Sequence, residues 1–382
     1  MKIVIAPDSF KGSLTAIEVS DALEMGVKVA YPEARVEKIP MADGGEGTVH
    51  CLVNVTRGRI YQKEVIGPLG EQVTASFGIL GDQVTAAIEM ASASGLPLVS
   101  PEKKNPLITT TYGTGQLIKA ALDHGCRKMI IGIGGSATND GGSGMVQALG
   151  VRLLDKNEHE IGFGGEQLAR LNRIDISKMD QRIKIIKILI ASDVQNPLCG
   201  DTGASRIYGP QKGATEEMIV TLDHALSHFA DIIKRDLGKD IKEIPGAGAA
   251  GGLGAGLMVF LDAELKPGID IVINTVHLDE IVQDADLVIT GEGEINGSTI
   301  YGKTPIGVAR VAKNYQIPVI SISALIDKSG LVVKEHGIDY LIKPENPSMH
   351  MEYSKSRKME LLSKTIAEFL KKHDKLIPGS ID

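Results

Sequence analysis

"KIVIAPDSFKGSLTAIEVSDALEMGVKVA" spans residues 2–30, and its three parts decide the fold class. The first, "KIVIA", is a short continuous apolar run, as expected of a strand covered on both faces. The second, "PDSFKGS", is a polar loop. The third opens at Thr15, with Glu18 three residues on as a capping box, and carries Val19, Ala22, Leu23, Gly26, Val27 and Ala30 along one helical face. A buried strand that runs through a loop into an amphipathic helix is the repeating unit of a parallel sheet.

Outward from this unit, "RVEKIP", "MADGGEG" and residues 48–56 read as a second strand, loop and helix. The pattern then changes. Residues 58–92, "GRIYQKEVIGPLGEQVTASFGILGDQVTAAIEMAS", alternate short β-type runs with turns, which predicts an antiparallel meander with "LGDQ" as a compact hairpin. That change places a domain boundary near residue 58. A helix stopped by Gly125 follows, then the strand "KMIIGIG", which opens into the Gly-rich "GIGGSATNDGGSG" of residues 132–144. "KIIKILIAS" delivers "DVQNPLCG", and a long polar-faced helix covers roughly 215–237. "PGAGAAGGLGAGLMVFLDAEL" (245–265) mixes Gly with Ala and Leu, so it reads as a close-packed loop and helix rather than a linker. From Ala285 the β–α units resume. The expected architecture is therefore α/β in two domains. A Rossmann-like parallel-sheet domain is formed by both chain ends (1–57 plus 265–382), and an inserted α/β domain (58–264) has a mixed, partly antiparallel sheet.

Composition narrows the function. A length of 382 residues agrees with two cores. The net charge of −7, with both signs interspersed, argues against a nucleic-acid partner, and the absence of Trp leaves few stacking platforms. Cys51, Cys126 and Cys199 are odd in number and widely spaced, which points to a reducing, cytoplasmic setting. "MKIVIAPDSF" does not read as a signal peptide, and no apolar run is long enough to cross a membrane. Cys199 reads as a buried thiol rather than a nucleophile. His224 and His228, four apart on one helix, have no third metal ligand nearby in sequence.

The unusual chemistry sits in loops at strand C-terminal ends: "PDSFKGS", "MADGGEG", "SATNDGG" with "SDVQNPL", and "TGEGEINGS". Ligands of open parallel sheets collect there, at the point where strand order reverses. If "KIVIA" neighbours "DLVIT", loops 7–13 and 291–303 flank that point. Three readings of the glycines at 132–144 compete: a dinucleotide pyrophosphate, the phosphates of a nucleotide in a kinase, or close packing against another piece of the protein. Gly132, Gly134 and Ala137 fit a dinucleotide fingerprint, with Asp155 as the ribose acid, but Asp140, Gly141 and Gly142 interrupt the helix that should follow. The phosphate reading uses the consecutive N–H groups of "GGSATND", the hydroxyls of Ser136 and Thr138, and an acid. No Walker loop and no protein-kinase signature is present. Asp8, Asp43, Glu46, Asp140, Asp193, Glu292 and Glu294 supply loop carboxylates for Mg²⁺, while Lys11, Lys212 and Lys303 supply positive charge.

Together the segments "IAPDSFKGSLTA", "PMADGGEGT", "IEMASASGLPLV", "NPLITTTYGTGQLI", "IGIGGSATNDGGSGM", "DVQNPLCG", "GPQKGA", "PGAGAAGGLGAGL" and "TGEGEINGSTIYGKTPIGVA" resemble the bacterial glycerate kinase family without a Walker motif. The resemblance runs in order from residue 1 to about 312. It implies ATP-dependent, Mg²⁺-dependent phosphorylation of D-glycerate, with 2-phosphoglycerate the favoured product, by a monomer or homodimer. On this reading Gly134, Gly135, Ser136, Thr138, Asn139 and Asp140 meet the nucleotide. Asp8, Ser9, Lys11, Gly12, Ser13 and Lys303 meet the substrate, whose carboxylate Lys11 holds. Asp193 handles the hydroxyl proton, and Asp43 and Glu292 hold the metal.

The chain departs from the family pattern at Glu294, where a basic or amide side chain is usual, and at Asn296, where an acid is usual. It also departs at "ISISALID" and "DYLIKPENPS". Two other functions remain open from sequence: a nicotinamide-dependent hydroxy-acid oxidoreductase, and a non-catalytic metabolite-binding relative.

Overall fold

The computed structural model describes residues 1–344 and 353–373. Strand β1 (Lys2–Ile5) leads into the helix Ala16–Ala30, and Thr15 and Glu18 form the reciprocal capping box expected of them. Strand β2 (Arg35–Lys38) follows. The chain then builds β3 (Arg59–Ile66), β4 (Gln72–Ile79), β5 (Thr85–Glu89), β6 (Lys128–Gly132), β7 (Arg152–Leu154), β8 (Arg173–Asp175), β9 (Lys187–Ala191) and β10 (Glu264–Lys266). It ends with β11 (Leu287–Ile295), β12 (Val319–Ile326), β13 (Tyr340–Ile342) and the helix Lys355–Lys372. Of the atypical segment 339–348, Glu345 to Ser348 lie outside the described residues.

Two compact units divide this list: Met1–Asp43 with Gly268–Asp382, and Gly44–Pro267. The first holds a five-stranded, all-parallel sheet in the order β13-β12-β11-β1-β2. β1 and β11 are neighbours, with Ile3 opposite Leu287 and Ile5 opposite Ile289. Strand order reverses between them, so the expected switch point is present. Both faces of the sheet are covered. Ile3, Ile5, Leu287, Ile289, Ile320 and Ile322 pack against Val19, Leu23 and Val27 of one helix and Leu362, Ile366 and Leu370 of the last. Helix Thr304–Asn314 lies against β11 and β12, and helices Gly268–Thr275 and Leu278–Val282 pack on it.

The second unit holds a mixed six-stranded sheet, order β10-β9-β6-β5-β4-β3. β3, β4 and β5 form the antiparallel meander, and β5, β6, β9 and β10 run parallel. The boundary falls at Gly44 rather than near residue 58, because helix Thr48–Thr56 packs on β4 and β5 of the second sheet. Val53 and Val49 stand so close to Gly78 that a Cβ there would lie 2.3 Å from Val53. Residues 245–265 are mostly buried loop plus the helix Leu253–Phe260, as their composition suggested.

Candidate active site

At the C-terminal ends of β1 and β11 the first unit encloses a cavity of about 510 Å³, within the size range of small-molecule sites. Its wall includes Asp8, Ser9, Lys11, Gly12 and Ser13 from the loop after β1, and Glu292, Glu294, Asn296 and Lys303 from β11 and the turn beyond it. Every residue assigned to the substrate from sequence thus lines one space. The segment "TGEGEINGS" is not a loop throughout. β11 runs on to Ile295, pairing Glu294 with Leu325 and Ile295 with Ile326 of β12. Glu292 and Glu294, two apart in a strand, therefore share a face.

Backbone and hydroxyl donors fix the first acid. The Asp8 amide donates to the Gly291 carbonyl at 2.8 Å. Its carboxylate accepts the Ser9 amide at 2.6 Å and the Thr304 hydroxyl at 2.6 Å. Burial pushes the Asp8 pKa up to about 7, the nearby Asp43 carboxylate adds to the rise, and these hydrogen bonds and Lys11 oppose it. Glu292 accepts the Thr299 hydroxyl at 2.7 Å and lies 3.5 Å from the Lys303 ammonium. Burial raises its pKa too, and Asp43 contributes. Asp43 is thus close enough for both Asp8 and Glu292 to feel its charge. Asn296 turns away from metal or proton chemistry: its side chain donates to Glu294 at 3.3 Å and accepts the Ser298 amide and hydroxyl at 2.9 and 2.6 Å. Ser13 brings a buried hydroxyl with no hydrogen-bond partner among the described residues.

Among the described residues no set of three or more His, Cys, Asp or Glu is placed to grip a metal unaided. Mg²⁺ needs less, since it takes one or two carboxylates and completes its shell with water and phosphate oxygens. Asp43 and Glu292 fit that mode, because their like charges raise the cost of ionising the cluster and a cation would relieve it.

In the second unit the Gly-rich segment has two halves. Gly134 and Gly135 are exposed, and Gly135 takes φ +73°, a conformation that costs glycine little. The rest of the segment turns inward. Asp140 is fully buried and accepts the Thr111 amide and hydroxyl, both at 2.8 Å, and the Gly142 amide at 3.1 Å. Asn139 donates to the Ser205 hydroxyl at 2.9 Å. Ser136 and Thr138 share a hydrogen bond at 3.1 Å. The buried Lys212 ammonium donates to the Thr138 carbonyl at 2.6 Å and the Ser136 hydroxyl at 3.2 Å. At the end of the segment, a Cβ on Gly144 would lie 2.2 Å from the Thr110 hydroxyl, so this glycine serves packing within the protein. Only Gly134 and Gly135 of the six expected nucleotide residues offer open backbone. The four side chains between 136 and 140 organise the loop from within.

Other candidates resolve plainly. Asp193, after β9 in the second unit, is exposed. Asp155 accepts the amides of Asn157 and His159, capping the turn after β7. His228 is hydrogen-bonded to the Leu171 carbonyl at 2.7 Å. Cys199 is buried, and burial pushes its thiol up to about 12, far from a thiolate nucleophile. One cavity residue escaped the sequence reading altogether. Lys358, on the last helix, is buried and lines the cavity. It stands four residues before Leu362, on the row of that helix that the structure buries.

Comparison with known proteins agrees with this geometry. The model of the glycerate kinase family matches residues 3–373. A glycerate kinase of Bacillus subtilis is 55% identical over 365 residues, covering 96% of each chain. The glycerate 2-kinase of Escherichia coli is 59% identical over 339 residues, covering 89% of each. A crystal structure of a chain assigned as glycerate kinase 2 from Salmonella typhimurium superposes with a TM-score of 0.91 at 49% identity, covering 98% of both. The chain belongs to the glycerate kinase family of phosphotransferases.

Proposed function

We propose that this enzyme transfers the terminal phosphoryl group of ATP to the 2-hydroxyl of D-glycerate, with Mg²⁺ as cofactor. The observation that carries the reading is the cavity at the β1–β11 switch point, which gathers lysines, buried acids and an unsatisfied serine hydroxyl around a space suited to a small hydroxy acid. The name of the Escherichia coli relative, a glycerate 2-kinase, supports the 2-position. Lys11, the loop amides of residues 9–13 and Ser13 bind the substrate. Lys303, held by Glu292, positions that acid. Exposed Gly134 and Gly135 amides meet the nucleotide phosphates, while Ser136, Thr138, Asn139 and Asp140 hold the loop in shape. Asp43 and Glu292 hold the metal, which when bound neutralises phosphate charge. For the hydroxyl proton, the sequence nominated Asp193, and the cavity favours Asp8, which lines it and whose pKa burial raises to about 7. The three buried, free cysteines support a cytoplasmic setting.

The deciding experiment measures ADP release from MgATP with D-glycerate, then couples the product to enolase without a mutase. Glycerate-dependent ADP with an immediate enolase signal is expected. ADP release with an enolase signal only after mutase addition would make the product 3-phosphoglycerate. No glycerate-dependent ADP would refute the reading.

A further inference from the structure

The last helix carries a charge where its packing calls for an apolar residue. Its buried ridge runs Lys358, Leu362, Ile366, Leu370 at steps of four, the row that a helix lays against its neighbour. Leu362, Ile366 and Leu370 fill the core above β1, β11 and β12. Lys358 continues the row to the cavity, is only 4% exposed, and has no hydrogen-bond or ion-pair partner for its ammonium among the described residues. Its stem is buried along that row and its ammonium reaches the cavity, where an anion is the partner it lacks. The other two cations of the cavity differ. Lys303 already faces Glu292, and Lys11 is exposed.

Glycerate brings one charge of its own, its carboxylate, whereas phosphate charge arrives with the nucleotide. We propose that Lys358 binds the substrate carboxylate, so that the C-terminal helix selects hydroxy acids over neutral polyols; this rests on the glycerate kinase reading above. Lys11 then contributes from the open side of the cavity.

Lys358→Met keeps the stem and removes the charge. The expected result is a KM for D-glycerate raised about tenfold to a hundredfold, the loss typical of a hydrogen bond to a charged group. The KM for MgATP should stay within about twofold, and Lys358→Arg should recover part of the loss. Because Met keeps the buried stem and no hydrogen bond or ion pair is lost, the Met variant should melt close to the parent. A variant that melts well below the parent would make Lys358 a structural residue and overturn the proposal. An unchanged glycerate KM, or a parallel rise in the KM for MgATP, would do the same. Binding is also read without turnover, by thermal shift with D-glycerate or glycerol and no nucleotide. Glycerate should stabilise the parent and not the Met variant, and glycerol should stabilise neither. Equal shifts in parent and variant would overturn the assignment. Glycerate binding lost with Lys358, in a protein that releases no ADP, would uphold the lysine while refuting the kinase reading.

Discussion

Lys212 is a lysine that folding strips of its solvent. Burial lowers its pKa from 10.5 to about 7, with the Asp140 carboxylate opposing the fall. The unfolded chain keeps that proton up to about pH 10.5, and the folded chain releases it near pH 7. Between those values the unfolded state binds more protons, so raising the pH stabilises the fold through this group. Its penalty is present in full below pH 7. Lys212→Met abolishes the term, and the difference in melting temperature between parent and variant should move in the parent's favour from pH 7 to pH 10. A constant difference would show that Lys212 does not titrate in this window. The two candidate bases divide as sharply. Asp8→Asn should lower kcat by roughly 10²–10⁴-fold, the usual worth of acid–base help. Asp193→Asn should lower it only a few-fold, with circular dichroism unchanged for both. The reverse order would assign the proton to Asp193.

At the scale of elements, helices 16–30 and 355–372 approach unusually closely. A Cβ added to Gly26 would lie 2.2 Å from the Ser363 carbonyl oxygen and 2.3 Å from an Ile366 methyl. In an exposed helix Gly→Ala stabilises by roughly 0.5–1 kcal/mol. Here the clash is with backbone, so overpacking wins and Gly26→Ala should destabilise by about 1–3 kcal/mol in urea titrations. It should also raise the glycerate KM, because the displaced helix carries Lys358. Thr15→Ala is a milder change and should cost about 0.5–2 kcal/mol through the lost cap. These helices show what a sequence can and cannot display. The capping box of Thr15 and Glu18 is local, and it was readable. The spacing of Met359, Leu362, Ile366, Phe369 and Leu370 likewise shows one apolar face of the last helix from sequence alone. Lys358 was not readable, since a lysine in a lysine-rich helix reads as solvated until the partner helix shows which face is buried. The Gly-rich segment failed in the same way. Spacing located the loop but not the direction of Ser136, Thr138, Asn139 and Asp140, which is set by Thr111, Ser205 and Lys212 from distant parts of the chain.

For the molecule as a whole, sequence pattern located the parallel and mixed sheets, because continuous apolar runs and period-two alternation are distinct signals. It misplaced the turn into the second unit, because helix Thr48–Thr56 is amphipathic and would suit either sheet. The assignment of ligands to the two units has a direct test in hydrogen exchange of the intact enzyme. D-glycerate should slow amide exchange in residues 8–13, 292–303 and the start of helix 355–372. MgATP should slow it around residues 132–137. Protection of 132–137 by D-glycerate alone would exchange the two assignments.

The first unit is interrupted in sequence, and this sets the order in which the protein can be made. β1 is an inner strand of its sheet, yet its pairing with β11 joins residues 284 apart. At typical translation rates the ribosome delivers β11 tens of seconds after β1. Meanwhile residues 44–267 emerge as a contiguous unit with its own core and fold first. Throughout that interval "KIVIA" has β2 on one edge and nothing on the other, an apolar strand awaiting its partner. The nascent chain therefore presents a folded second unit joined to an unfinished sheet, and the open edge of β1 is the place where a wrong pairing would start.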